Sequence, residues 1–236
     1  MKNQYVGDVN DYRKYGLLRA LQKPGNLSLA VAWMLTPGDK SGDGKMRHYL
    51  QVPSKWQRYD EPLFGHLSAA LSDGATPSVA MIERSSILPR ARFSSEVVPD
   101  ERSARALWGE RLVEFAAGAD LVFLDPDNGF EIPSKPIGRK NSSKYAAWCE
   151  IERLWEAGSS VLVYQHFCRE ERDAFTARIA AELRRRTGAP FVEAFRTSNV
   201  LFLLAAQPRH WPVLEQAISR RLPAWKGQVD VVGLST

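Results

Sequence analysis

Two carboxylates, an amide and a glycine fall within five residues at Asp125-Pro126-Asp127-Asn128-Gly129, with Phe130 and Glu131 directly behind them. Acids this close together can orient an amine, hold a cation or accept a proton, provided a rigid element aims them. Pro, Asp, Asn and Gly are also ordinary turn formers. Chemistry is favoured because the mostly apolar stretch 119–124 runs straight into the turn, so a strand would pin Asp125.

Other candidates follow the same logic. His166 comes just after a second apolar run, beside Tyr164, Gln165 and Arg169, where it can carry a proton, ligate a metal or merely bond the next loop. The segment 7–15 packs Asp8, Asn10, Asp11, Tyr12, Arg13, Lys14 and Tyr15 together. Capping a helix needs only one of its three short acceptors, and the surplus can bind a hydroxyl, an amine or a metal. Asp39 and Asp43 lie in the glycine-bearing stretch 36–44, which has the spacing of neither a Walker loop nor a G-x-G-x-x-G turn. Lys135, Arg139, Lys140 and Lys144 form a basic flap after the central turn, suited to phosphates or simply solvated. Arg184-Arg185-Arg186 at a helix end suits the macrodipole.

The elements that must position these residues alternate. The sequence predicts helices over 10–22, 61–72, 143–157 and 170–186, the first capped by Asn10 or Asp11. Another helix starts at a capping Asp100 and carries Leu107, Trp108, Leu112 and Phe115 on its apolar side. Strands are predicted over 27–35, 79–83, 91–96, 119–124, 160–164, 191–196 and 200–206. The last two are joined by three residues, too few for a parallel crossover, so they must be antiparallel. The expected fold is a single α/β domain over 1–236: a Rossmann-like, doubly wound, mostly parallel sheet closed by a C-terminal antiparallel hairpin. In such sheets ligands sit beyond the carboxyl ends of the strands, which selects the loops after residues 35, 83, 124 and 164.

Bulk properties narrow the class. With 236 residues, 44% of them hydrophobic, the chain can bury one substantial core. Its apolar runs fall short of the about 18 residues of a membrane span, so no membrane association is expected. Two cysteines, Cys149 and Cys168, do not make a disulfide framework, which suits the cytoplasm. A net charge of +5 favours encounters with polyanions, RNA or DNA among them.

The pattern resembles the class I S-adenosylmethionine-dependent methyltransferase superfamily, and within it the enzymes that methylate amino groups of nucleic-acid bases, ribosomal RNA included. Their Asp/Asn-Pro-Pro-Tyr/Phe motif after the fourth strand corresponds to Asp125-Pro126-Asp127-Asn128. The resemblance implies that Asp125 orients the acceptor amine. Because Asp127 and Asn128 stand in for the second proline and the aromatic residue, stacking falls to Phe130 or Tyr164. It also implies that Thr36, Pro37, Gly38 and Asp39 replace the glycine-rich cofactor loop, that Glu83 binds the cofactor ribose, and that Asp8, Asn10, Asp11 and Lys144 border the acceptor. Two alternatives remain open on the same residues. Asp8, Asp11, Asp125, Asp127 and His166 could hold Mg2+ or Mn2+ in a phosphodiesterase or nuclease, or the fold could bind a nucleotide or nucleic acid without catalysis.

Overall fold

The structure is a computed structural model that describes residues 1–38, 44, 46–72 and 75–234; Asp39 and Asp43 lie outside the described residues. Its centre is a seven-stranded mixed sheet. Strands β1 (Leu29–Ala32), β2 (Ala91–Ser94), β3 (Leu121–Leu124) and β6 (Ser160–His166) run parallel in the order β2-β1-β3-β6. Strand β8 (Val200–Ala206) then lies antiparallel between β6 and β7 (Phe191–Arg196), and β9 (Asp230–Val232) pairs antiparallel on the outside of β7. The expectation of a mostly parallel sheet is corrected to a mixed one, and β9, not the β7–β8 pair, occupies that edge. The short segments β4 (Gly129–Phe130) and β5 (Tyr145–Ala146) pair with each other beside it.

Helices α1 (Val9–Gln22), α3 (Glu61–Ala70) and α8 (Trp211–Arg220) contribute to one core cluster, whereas α5 (Arg102–Ala116), α6 (Trp148–Glu156) and α7 (Arg172–Thr187) contribute to a second. The strands divide between the two by alternation: Leu121 and Phe123 join the first cluster, Val122 and Leu124 the second. Both faces are covered, which is why these strands read as unbroken apolar runs. The short helices α2 (Pro53–Trp56) and α4 (Ala80–Glu83) lie in the connection between β1 and β2.

Several local expectations are revised. Residues 79–83 form α4 and the turn before it, not a strand; Ala-Met-Ile-Glu favours a helix once the edge of β1 is taken by β2. Strand β1 stops at Ala32 because Met34 turns to φ 47°, redirecting the chain toward Thr36. Asp8 caps α1 by accepting the Asn10 N–H at 2.7 Å, which leaves Asp11 free to face inward. Glu101, not Asp100, caps α5 by accepting from Ser103 and Ala104. Leu107 on that helix is exposed. Helix α6 begins only at Trp148, because 142–144 form a 3-10 turn and Tyr145–Ala146 pair with β4.

Candidate functional site

The parallel strands deliver their carboxyl ends to one edge, and the 125–128 turn stands there between the ends of β1 and β6. The Asp125 N–H still bonds Ala32 O at 3.0 Å, extending the sheet by one residue. Its carboxylate is 2% exposed and meets Lys14 Nζ at 2.7 Å. The same ammonium reaches Asp11 Oδ1 at 2.6 Å and lies among the rings of Tyr15, Trp33 and Tyr164. Two buried carboxylates therefore share one ammonium. Burial, with Asp125 as a negative neighbour, pushes the Asp11 carboxyl up to about 6 despite Lys14. Burial acts against charge on Lys14, yet Asp11 and Asp125 outweigh it and raise its pKa. Asp11 Oδ2 accepts from Gly7 N and Tyr15 Oη, both at 3.2 Å.

Asp127 makes a second ion pair. Its Oδ1 lies 2.7 Å from the terminal amine of Met1, and its Oδ2 accepts from Thr36 Oγ1 at 2.6 Å. The amine also donates to the carbonyls of Asp125 at 3.0 Å and Met34 at 3.1 Å. Burial alone would raise the Asp127 pKa; the neighbouring ammonium, the Thr36 hydroxyl and Lys2 overcome it and hold it below the ordinary value. A carboxylate and two carbonyls thus form a cradle for an ammonium group.

The turn is locked from behind by Gln165. Its Oε1 accepts the Phe130 N–H at 2.8 Å, and its Nε2 donates to Asn128 O at 3.2 Å. Gly129 sits at φ 131°, and a Cβ there would fall 2.1 Å from Gln165 Oε1, so this position requires glycine. His166 N–H donates to Asn128 O at 2.9 Å, tying the end of β6 to the turn. His166 is exposed, and its Nε2 meets Tyr164 Oη at 3.2 Å. Partial burial depresses the imidazole pKa, outweighing Asp127 and Asp125, and so favours the neutral ring.

Asp8, Asn10, Asp11, Asp125, Asp127, Asn128, Lys144, Tyr164 and His166 all border one cavity of about 810 Å3. Compared with known proteins, the chain matches no family model and no curated protein. Among the described residues, no group of three or more His, Cys, Asp or Glu side chains is placed to hold a metal ion, and the five proposed ligands do not form one. Asp125 is paired instead with the Lys14 ammonium, and Asp127 with the Met1 amine, whose pKa burial lowers against the pull of Asp127 and Asp125. No helix among the described residues is long and apolar enough to cross a membrane.

Of the other expected residues, Thr36 reaches the site through Asp127, whereas Glu83, Pro37, Gly38 and Phe130 do not border this cavity. Glu83 is on α4, where it accepts the Trp33 Nε1–H at 2.9 Å, so it does not follow a strand. Pro37 and Gly38 are exposed. Phe130 is 2% exposed and stacks on Trp148, with ring centroids 4.8 Å apart, away from the acids. The parts that Lys14, Met1 and Gln165 play do not follow from the sequence pattern. The spacing Asp11-x-x-Lys14 puts these two on one helix face, but nothing in it points to Asp125.

Proposed function

We propose that this protein is an S-adenosylmethionine-dependent methyltransferase-like enzyme acting on an amine of a nucleic-acid base or a similar acceptor, at the cavity beside the 125–129 turn. The carrying observation is topological: an antiparallel strand, β8, is inserted between β6 and β7 after a parallel run β2-β1-β3-β6. With helices over both faces, this supports a Rossmann-like, doubly wound reading. The acidic turn lies where the chain order departs from β1 in two directions, the place at which such sheets bind ligands.

The residues suit the cofactor in two respects. The cavity lies within the range of about 300–1,000 Å3 usual for small-molecule sites. The cradle of Asp127 with the Met34 and Asp125 carbonyls receives an ammonium, the group the cofactor's amino acid portion carries. In this reading that amino group takes the place of the Met1 amine, and Thr36 steadies Asp127. Glu83, on α4 and bonded to Trp33, is not among the residues bordering this cavity, so no acid there is assigned to the ribose hydroxyls. The cofactor supplies a methyl group on a positively charged sulfonium. Asn128 orients the acceptor, and neutral His166 takes the proton that the amine releases. Two exposed, free cysteines accord with a cytoplasmic setting.

A second reading is favoured by one fact: Asp125 and Asp127 are both spent on ammonium groups of this chain. In that reading the fold binds a nucleotide or nucleic acid without turnover. The Mg2+- or Mn2+-dependent phosphodiesterase has no comparable observation in its favour. Incubation with methyl-labelled S-adenosylmethionine and either RNA or denatured DNA separates the first two readings. Methyl transfer that falls at least about 100-fold in His166→Ala supports the enzyme; cofactor binding without transfer to any amine acceptor supports the binding protein.

A further inference from the structure

A second cavity, of about 860 Å3, meets the first at Asn128, His166 and Phe167. It draws its apolar lining from the other core cluster, with Phe130, Trp148, Phe175 and Ile179 in its wall. Its aromatic content is high, and Phe167, only half-buried, borders both cavities.

Charge is distributed unevenly around it. Arg178 and Arg186 in its wall are already paired, with Glu170 and with Glu182 and Glu152. Arg102, also in the wall, has no carboxylate partner among the described residues; its Nη2 donates to Ile137 O at 3.1 Å. The segment that brings Ile132, Pro133, Pro136 and Ile137 into the wall also carries Lys135, Arg139 and Lys140, which lie outside the wall itself and likewise lack carboxylate partners among the described residues; Lys135 Nζ donates to Lys140 O at 3.4 Å. This segment is anchored. The Asp100 carboxylate accepts the N–H groups of Asn141 and Ser143, each at 2.7 Å, and its carbonyl accepts that of Gly138 at 3.0 Å. Arg102 in an aromatic wall, with further cations on the anchored segment next to it, suits a ligand that joins a flat ring to an anion.

We propose that this second cavity is a nucleotide site, taking a heteroaromatic ring against its aromatic wall and the attached phosphate on Arg102 and the 132–141 segment. The ligand can be a free nucleotide or one nucleotide of a single strand. The volume suits one nucleotide. The site does not depend on methyl transfer, although the shared wall of Asn128 and His166 would place the ring's edge beside the first cavity.

The test is calorimetric titration of the full chain, without S-adenosylmethionine, using uridine monophosphate, uridine, inorganic phosphate and single-stranded octauridylate. A pyrimidine avoids competition for any adenosine-binding position in the first cavity. The expected result is saturable binding of uridine monophosphate that weakens at least tenfold in Arg102→Glu and in Cys149→Trp, which fills the cavity from an exposed rim position. The monophosphate should also slow maleimide alkylation of Cys149 and Cys168, both of which border the cavity. Tighter binding of octauridylate, lost in Lys135→Glu/Arg139→Glu/Lys140→Glu, assigns the site to a strand; equal binding assigns it to the free nucleotide. No binding of either at millimolar concentration, binding of phosphate as tight as that of the nucleotide, or affinity unchanged in Cys149→Trp overturns the proposal. Because the cofactor is absent throughout, this failure and that of the methyl-transfer reading are separate results.

Discussion

The ammonium of Lys14 lies 2.7 Å from the carboxylate of Asp125, joining helix α1 to the end of β3 across 111 residues of sequence. Both side chains are almost fully buried, and Asp11 completes the group from the preceding turn of the same helix. Replacing one member of a buried ion pair strands the other charge, at a cost of about 3–5 kcal/mol. Lys14→Met is therefore expected to lose that much stability in urea unfolding. A loss under about 1 kcal/mol would mean that water reaches the acids.

The same group sets a pH dependence. Asp11 is raised from its ordinary value near 3.8 to about 6, so the folded state keeps a proton that the unfolded chain has released. Its contribution to stability is greatest below about 4, falls as the pH rises to about 6, and is constant above that, a change of about 3 kcal/mol in all. Measured against Asp11→Asn, the wild type should lose stability between pH 4.5 and pH 7. A difference that does not vary with pH contradicts this assignment.

Gly129 and Gln165 should behave as one unit. Gly129→Ala forces an alanine to φ 131° and drives its Cβ into the Gln165 amide, for an expected cost of about 1–3 kcal/mol. In a double-mutant cycle, Gln165→Ala should cost less in the Gly129→Ala background than in the wild type, with a coupling of at least about 0.5 kcal/mol. Additive effects would show that the amide does not press on the turn.

Arg105 and Arg111, both on α5, should differ sharply. Arg105 is 2% exposed and grips Glu150 on α6 through Nε and Nη2. Arg105→Met is expected to cost about 3–5 kcal/mol, because it leaves Glu150 buried without its partner. Arg111 pairs with Glu96 in solvent, and Arg111→Ala should leave the unfolding midpoint unchanged. Similar losses in the two variants would contradict the burial of the first pair.

How far the sequence reveals this arrangement depends on the range of the interaction. Strand β3 and its turn are legible because an apolar run ends abruptly in Asp-Pro-Asp-Asn-Gly, and the antiparallel β7–β8 pair because three residues leave no other geometry. The stretch 79–83 is misread because a four-residue apolar run suits a strand and a short helix equally, and only the pairing of β1 with the distant β2 decides. Asp100 and Glu101 are adjacent acceptors, and the sequence does not show that the first is taken by the 141–143 backbone. Lys14 reads as one charge in a polar helix start until Asp125 is brought against it. Phe130 looks available for stacking because its partner, Trp148, lies 18 positions further on.

The most direct test of the functional account is calorimetric titration of the folded protein with S-adenosylmethionine and its demethylated product. Saturable micromolar binding is expected, weakening at least tenfold in Asp127→Asn, whose carboxylate forms the ammonium cradle. Folded protein that releases no heat with either ligand would contradict the methyltransferase reading.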